Sequence, residues 1–355
     1  MALYLLRSRY SSLRHFVGHL SVRCRRVGQY SDCQVATQIK YLPSGHAPTL
    51  ENSVVMTIKR STIIKTGLLL AITCFVLYLT ACAYIWKRQE RFIFMPQRII
   101  TSTPADYHLP FEEIYVAVNK DPVSNENLHA WFMPAADRPG RRVLLYLHGS
   151  ALNIGANIDH AQRFHNLGFS VFLLSYRGYG KSAGISPSEE SVYVDAETAW
   201  DYLVTDRKFE PSSVFIYGHS LGGAVAIQLA LTHPDAGGVI VEGTFTSIAE
   251  MARLHSQYRI LPLDIIIKHR FDSVNKVGRL EVPVLFIHGT SDERVPYSMT
   301  RELFERTASE KRIKLILGGG HNNTAAVGGE EYLQTVRDFF RFAGSHSALN
   351  VKRGD

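Results

Sequence analysis

Two serines of this 355-residue chain stand in the pattern Gly-x-Ser-x-Gly, in which a sharp turn can present a serine hydroxyl as a nucleophile. Context separates them. Gly180-Lys-Ser182-Ala-Gly184 follows the run Arg177-Gly-Tyr-Gly and leads to Pro187. It reads as a loop with no helix behind its serine, and Ser182 as a turn residue. Gly218-His-Ser220-Leu-Gly222 lies between the apolar run Val214-Phe-Ile-Tyr217 and the helix former Gly223-Ala-Val-Ala-Ile-Gln-Leu-Ala230. Strand, turn and helix are what a nucleophile elbow requires, and glycines two residues to either side remove Cβ atoms that would clash there. The turn also sets Ser220 at a helix N-terminus, where free N–H groups favour developing negative charge.

A serine hydroxyl is a poor nucleophile near neutral pH and needs a general base held by a carboxylate. In this arrangement the acid and then the histidine follow the serine in the chain. Asp292, in His288-Gly-Thr-Ser-Asp-Glu293, comes directly after a strand-like run, where a loop carboxylate reaches the sheet's C-terminal edge. Glu293 is the rival acid, with a side chain expected to point elsewhere on the same turn. His321 follows Lys314-Leu-Ile-Leu-Gly-Gly-Gly320, again past a strand, and is the expected base. The oxyanion of a tetrahedral intermediate needs two N–H donors. Leu221, next to the nucleophile, supplies one, and Ser150 of His148-Gly-Ser150 the other. His148 reads as a structural residue of that turn. This chemistry needs no metal or cofactor.

The elements that must position these residues are legible from about residue 113 onward, where apolar runs of strand length alternate with helical patterns. Strands are expected at 113–120, 128–134, 143–148, 170–176, 214–217, 238–242, 284–288 and 314–317. Five are nearly continuous Val/Ile/Leu/Phe runs, as suits strands covered on both faces. Helices are expected at 158–167, 189–205, 221–232, 298–307 and 331–342. The fold class is therefore α/β, with a mostly parallel eight-stranded sheet and helices on both faces. The interval 246–280 breaks the alternation and reads as a short cap or lid insertion.

The chain carries 39 Lys and Arg against 32 Asp and Glu, a formal +7. Residues 1–66 hold ten of those cations and only Asp32 and Glu51, a balance of +8, while the remaining 289 residues carry −1. The basic character therefore belongs to the N-terminal segment, and nucleic acid is not expected as a partner of the main domain. Cys24, Cys33, Cys74 and Cys82 all precede that domain, which excludes a thiol nucleophile or a cysteine zinc site within it. Gly67 to Trp86 is 20 residues without a charge, long enough to cross a bilayer as a helix. Ahead of it, Leu3, Leu6, Tyr10, Leu13, Val17 and Leu20 recur at helical spacing beside Arg7, Arg9 and Arg14. This reads as a basic amphipathic helix that either targets mitochondria or lies on an anionic membrane. Lys59, Arg60 and Lys65 before the span are matched by Lys87, Arg88, Arg91 and Arg98 after it, which leaves its orientation open.

Over residues 113–343 the sequence resembles the α/β-hydrolase superfamily. The resemblance rests on Leu147-His-Gly149, Tyr176-Arg-Gly-Tyr-Gly-Lys-Ser182, Gly218-His-Ser-Leu-Gly-Gly223, Glu242-Gly-Thr-Phe245 and Gly320-His-Asn-Asn-Thr324. It is similar to a branch of single-span, membrane-anchored serine hydrolases related to lysophospholipid lipases and protein depalmitoylases. The family's nucleophile, acid and base map to Ser220, Asp292 and His321. The resemblance implies a lipid-like ester or acyl thioester as substrate and a bilayer as partner. Where the branch reads His-Gly-Asn-Ala-Gly-Asn, this chain reads His148-Gly-Ser-Ala-Leu-Asn153; Ser150 still presents an N–H, and Leu152 reshapes the acyl pocket. The expected organisation is a basic targeting tail at 1–66, a transmembrane helix at 67–86, a membrane-proximal linker at 87–112, the hydrolase domain at 113–343 and a tail at 344–355. An endomembrane of the endoplasmic-reticulum type is the favoured location, with the mitochondrial inner membrane as the alternative. Two other functions fit the same residues: acyl transfer on the same triad, and a non-catalytic membrane-tethered interaction protein.

Overall fold

The computed structural model describes three strands before residue 59 and then the chain from Arg60 to Val351, apart from 119–125, 136–141 and residue 185; side chains are described from Ser61 to Gly344. The chain divides into two units, Met1–Ala81 and Cys82–Asp355. In the first, β1 (Gly18–Val27) pairs antiparallel with β2 (Tyr30–Ile39), and β2 with β3 (Val55–Ile58). The helix expected over residues 3–20 lies outside the described residues as far as residue 17. Its last three residues belong to β1, because from Leu20 the apolar period shortens to two: Leu20, Val22 and Cys24 stand opposite Thr37, Val35 and Cys33.

Helix α1 (Arg60–Arg88) begins seven residues before the expected span. Ser61–Arg88 contains an 18-residue stretch of mean hydropathy 2.3 and is long and apolar enough to cross a membrane. Leu68, Leu69, Leu70 and Phe75 are each at least 60% exposed, so this is no core helix. Thr73 and Thr80 donate their hydroxyls to the carbonyls of Leu69 and Val76, which keeps polar atoms paired within the helix.

In the second unit, α2 (Glu90–Ile93) and β4 (Met95–Pro96) follow directly, where a linker is expected. Then come β5 (Glu112–Ala117), β6 (Asn127–Met133), β7 (Val143–Leu147), β8 (Ala151–Leu152), α3 (Ile158–Asn166), β9 (Ser170–Ser175) and α4 (Glu189–Asp201). The second half is β10 (Val214–His219), α5 (Leu221–Thr232), β11 (Gly238–Glu242), α6 (Ile248–Arg253), α7 (Leu263–Ile266), β12 (Val284–Gly289), α8 (Tyr297–Arg306), β13 (Lys311–Ile316) and α9 (Thr324–Val351). All eight expected strands join one sheet in the order β13-β12-β11-β10-β7-β9-β6-β5. It is parallel from β13 to β9; β6 alone runs against the others, and the edge strand β5, antiparallel to β6, returns to their direction.

The alternation of side chains along β7 explains the two helical layers. Val143, Leu145 and Leu147 pack with Val192 and Ala196 of α4 and Ala224 and Val225 of α5. Leu144 and Tyr146 face the other way, toward Phe164 of α3 and Val336 and Phe339 of α9. The boundaries of β13 and α9 differ from expectation. β13 starts at Lys311 and ends before Leu317, which is 86% exposed. As an edge strand it alternates Lys311, Arg312 and Lys314 with Ile313 and Leu315, a pattern that a search for continuous apolar runs truncates. α9 begins at Thr324, kinks at Gly329 (φ 47°) and continues to Val351, so the stretch from 344 is helix rather than tail.

Two features bear on the site. The insertion at 246–280 folds as α6, α7 and short turns. Gln89, 3% exposed, bolts it to the end of α1: its amide nitrogen donates to the carbonyls of Trp86 (2.8 Å) and Ile266 (3.3 Å), and its oxygen accepts the N–H groups of Lys268 (2.7 Å) and His269 (3.1 Å).

Candidate active site

The C-terminal ends of four parallel strands, β7, β10, β12 and β13, carry the turns on which the candidate residues stand, where open α/β sheets place their ligands. Between β10 and α5, Ser220 adopts φ 53°, ψ −118°, a strained conformation for a residue with a side chain. Three bonds hold it: its N–H donates to the Glu242 carbonyl (2.9 Å), and its own carbonyl accepts from the Gly223 N–H (3.0 Å) and the Thr244 hydroxyl (2.7 Å). The flanking glycines are a matter of contact. A Cβ on Gly218 would lie 2.1 Å from the Gly222 carbonyl oxygen, and one on Gly222 would lie 2.1 Å from that of Leu147.

The structure brings the three expected residues together. His321 Nε2 lies 3.0 Å from Ser220 Oγ, and His321 Nδ1 lies 2.7 Å from Asp292 Oδ2. Asp292 Oδ1 accepts the N–H groups of Arg294 and Val295, both at 2.9 Å, which fixes the carboxylate's orientation. Burial would raise the Asp292 pKa, but the donors from His288, His321 and the Val295 N–H outweigh it and hold the carboxyl well below the usual range. An ionised Asp292 beside Nδ1 fixes the proton there and leaves the Nε2 lone pair facing the serine hydroxyl. Glu293 is exposed and takes no part.

Three histidines support this line. His288, fully buried, reaches Asp292 Oδ2 (3.1 Å) and the Val295 carbonyl (2.9 Å) through Nε2, so the proton sits on Nε2 and Nδ1 faces the Thr300 hydroxyl at 2.6 Å. In the sequence His288 reads as the last residue of a strand; its signal is the four-residue spacing to Asp292 across a tight turn. His219 donates from Nε2 to the His321 carbonyl at 2.8 Å and steadies the base loop; burial and the neighbouring His321 pull its pKa down to about 4. His148 stands in the turn after β7, as expected, its Nδ1 on the Gly149 carbonyl at 2.7 Å.

The two expected oxyanion donors stand on turns next to Ser220. The Leu221 N–H opens α5, ahead of any intrahelical acceptor. A Cβ placed on Gly149 would lie 3.5 Å from Ser220 Cβ, so the Ser150 turn abuts the serine, and among the described residues the Ser150 N–H has no acceptor. Below the elbow, Glu242 accepts the hydroxyls of Tyr217 (3.0 Å) and Tyr332 (2.7 Å); burial would raise its pKa, yet His160, His219 and the Tyr332 hydroxyl bring it to about 2. A cavity of about 250 Å³ lies in the insertion, lined by Ser247, Glu250, Arg253, Leu263 and Asp264 among others, and no triad residue lines it.

Comparison with known proteins gives the family. The model of the serine aminopeptidase family S33 matches residues 138–272. An uncharacterized membrane protein of Saccharomyces cerevisiae is 34% identical over 243 residues, 67% of this chain and 82% of that protein. The α/β-hydrolase domain-containing protein WAV2 of Arabidopsis thaliana is 29% identical over 272 residues, 71% of this chain and 87% of that one. The chain belongs to the α/β-hydrolases. The Pyrococcus furiosus esterase Pf2001 shares the α/β-hydrolase fold, with a TM-score of 0.57 at 19% identity over 70% of this chain and 97% of its own. A hydrolytic activity follows from family membership, and the apolar helix together with the yeast relative's description points to association with a membrane.

Proposed function

We propose that this α/β-hydrolase is a membrane-anchored serine hydrolase that cleaves acyl esters or thioesters of lipid-like substrates. The observation that carries the reading is the unbroken line from Ser220 Oγ through His321 to Asp292, at 3.0 and 2.7 Å. Ser220 attacks the acyl carbonyl as His321 Nε2 takes its proton, and the Leu221 and Ser150 N–H groups receive the charge on the carbonyl oxygen. His321 then protonates the departing alcohol or thiol, and water, deprotonated by the same Nε2, releases the acyl group from Ser220.

Ser61–Arg88 is the anchor, in an endomembrane of the endoplasmic-reticulum type or the mitochondrial inner membrane. An acyl substrate is favoured by the near-neutral main domain and by the insertion bolted to the end of α1, whose Ile260 and Ile265 are 74% and 81% exposed. The test is labelling of the detergent-solubilised protein by a fluorophosphonate. Labelling is expected in the native protein and absent from Ser220→Ala; labelling that survives the substitution overturns the mechanism. Lipidomic comparison of membranes holding active and Ser220→Ala protein then identifies the substrate.

A further inference from the structure

The segment leaving α1 runs along the turn that carries Ser150. The Met95 N–H donates to the Ser150 carbonyl (2.9 Å) and the Gln97 N–H to that of Leu152 (3.2 Å), joining β4 to β8. In return the Asn153 amide donates to the carbonyls of Gln97 (3.2 Å) and Ile99 (2.7 Å). Arg98 donates to the carbonyls of Ser182 and Gly184 from the far side. The fit is close: a Cβ on Gly155 would lie 2.8 Å from the Ser102 carbonyl oxygen, and one on Gly180 would lie 3.2 Å from Ile100.

These bonds bear on a single N–H. The Gly149 carbonyl shares a peptide unit with the Ser150 N–H, and a trans peptide points the two in opposite directions. Its bond from His148 Nδ1 therefore aims the Ser150 N–H. Buried against Tyr176 and Tyr179, His148 has its pKa drawn down to about 4, so the ring is neutral and keeps its proton for that carbonyl. The next peptide unit is gripped at the Ser150 carbonyl from two sides, by the Met95 N–H and by the Tyr179 hydroxyl at 2.6 Å. With both flanking units fixed, Ser150 has no free dihedral. Two residues on, Leu152 sits at φ 67°, a left-handed conformation that is unfavourable for a residue with a side chain and persists only where its surroundings over-determine it. The bonds of Met95 and Gln97 on either side of it do so.

We propose that residues 95–99 are a positioning strap for the oxyanion turn: the chain arriving from the apolar helix holds the Ser150 N–H where the substrate oxyanion forms. The inference rests on the reading of Ser220 as nucleophile and Ser150 as donor. It makes the stretch after the anchor part of the active site.

Asn153→Asp tests it in the full-length protein. The aspartate keeps the oxygen that accepts the Gly155 N–H at 2.9 Å but sets a second oxygen, in place of the amide, against two carbonyls. The readouts are the rate of fluorophosphonate labelling, kcat and KM for p-nitrophenyl butyrate, and the thermal midpoint. Loss of an oxyanion donor costs about 10²–10³ in kcat, and a misplaced one is expected to cost about tenfold or more, with KM and the midpoint retained. Arg98→Gln, which loosens the strap from its far side, is expected to give the same signature at smaller size, and it decides the matter if Asn153→Asp lowers the midpoint. Native labelling and kcat in Arg98→Gln and in a folded Asn153→Asp overturn the proposal, as does a loss confined to KM. Labelling of Ser220→Ala would instead overturn the nucleophile reading, so the two failures are distinct.

Discussion

The pattern Gly-x-Ser-x-Gly has opposite fates at its two occurrences. Ser220 stands at φ 53° with its hydroxyl on His321. Ser182 is 1% exposed, and its hydroxyl donates to the Ser175 carbonyl (2.6 Å) and accepts the His129 N–H (2.8 Å), which ties the loop after β9 to the start of β6. The glycines differ in the same sense. Around Ser220 they are required because backbone passes where a Cβ would be, 2.1 Å away. Around Ser182 they are required by dihedral angle, φ 47° at Gly180 and 78° at Gly184. One pattern thus serves two physical demands: close approach with a side chain displayed, or a left-handed loop with a side chain consumed.

Exchanging each serine for alanine gives the largest expected effect. Ser220→Ala is expected to abolish hydrolysis and probe labelling, a loss on the order of 10⁶ in kcat, while the thermal midpoint stays near the native value. Ser182→Ala is expected to do the reverse. Two buried backbone groups lose their partner, so stability falls by about 1–3 kcal/mol in denaturant unfolding, with labelling of the remaining folded protein at the native rate. A labelling defect in Ser182→Ala at full occupancy of the native state would erase the contrast.

The same contrast shows what was legible in the sequence. Ser220 could be told from Ser182 because a strand before and a helix behind leave their mark over a dozen residues, and the triad followed from chain order along those strands. β11 and α5 are legible to the residue because each is a mostly apolar run with a clear stop, Gly243 after β11 and His233 after α5. What was not legible depends on contacts between segments far apart in the chain. The second ligand of Asp292, His288, shows only as a spacing; the hold of Gln89 on residues 266–269 and of Met95 on Ser150 runs through backbone atoms, which every residue carries, and so leaves no compositional trace. Residues 87–112 read as a linker for that reason.

The glycines sharpen the comparison at a smaller scale. Gly218→Ala is expected to cost about 3 kcal/mol or more, since the added methyl meets the Gly222 backbone rather than a movable side chain, and the yield of folded, detergent-solubilised protein should fall accordingly. At Gly184 the nearest atom to an added Cβ is Arg177 Cβ at 3.4 Å, an ordinary contact. There only the left-handed dihedral is penalised, by about 1 kcal/mol, which denaturant titration resolves.

The smallest effect is in the shape of stability against pH. Asp292 has a folded pKa below its ordinary 3.8, so its contribution is complete above that value and is lost as pH falls from there toward the folded pKa. His288→Ala removes one of the donors that depress it. The pKa gap then narrows, and stability is expected to fall less far as pH drops from about 4 to about 2 than in the native protein, on top of a uniform loss from the emptied site. Among the described residues the hydroxyl of Ser182 bonds only to backbone groups, so Ser182→Ala is expected to lower the whole curve by a constant and keep its slope. Denaturant unfolding of the three proteins across that range separates the two behaviours: equal slopes in native protein and His288→Ala would show that His288 fills space beside Asp292 without setting its charge.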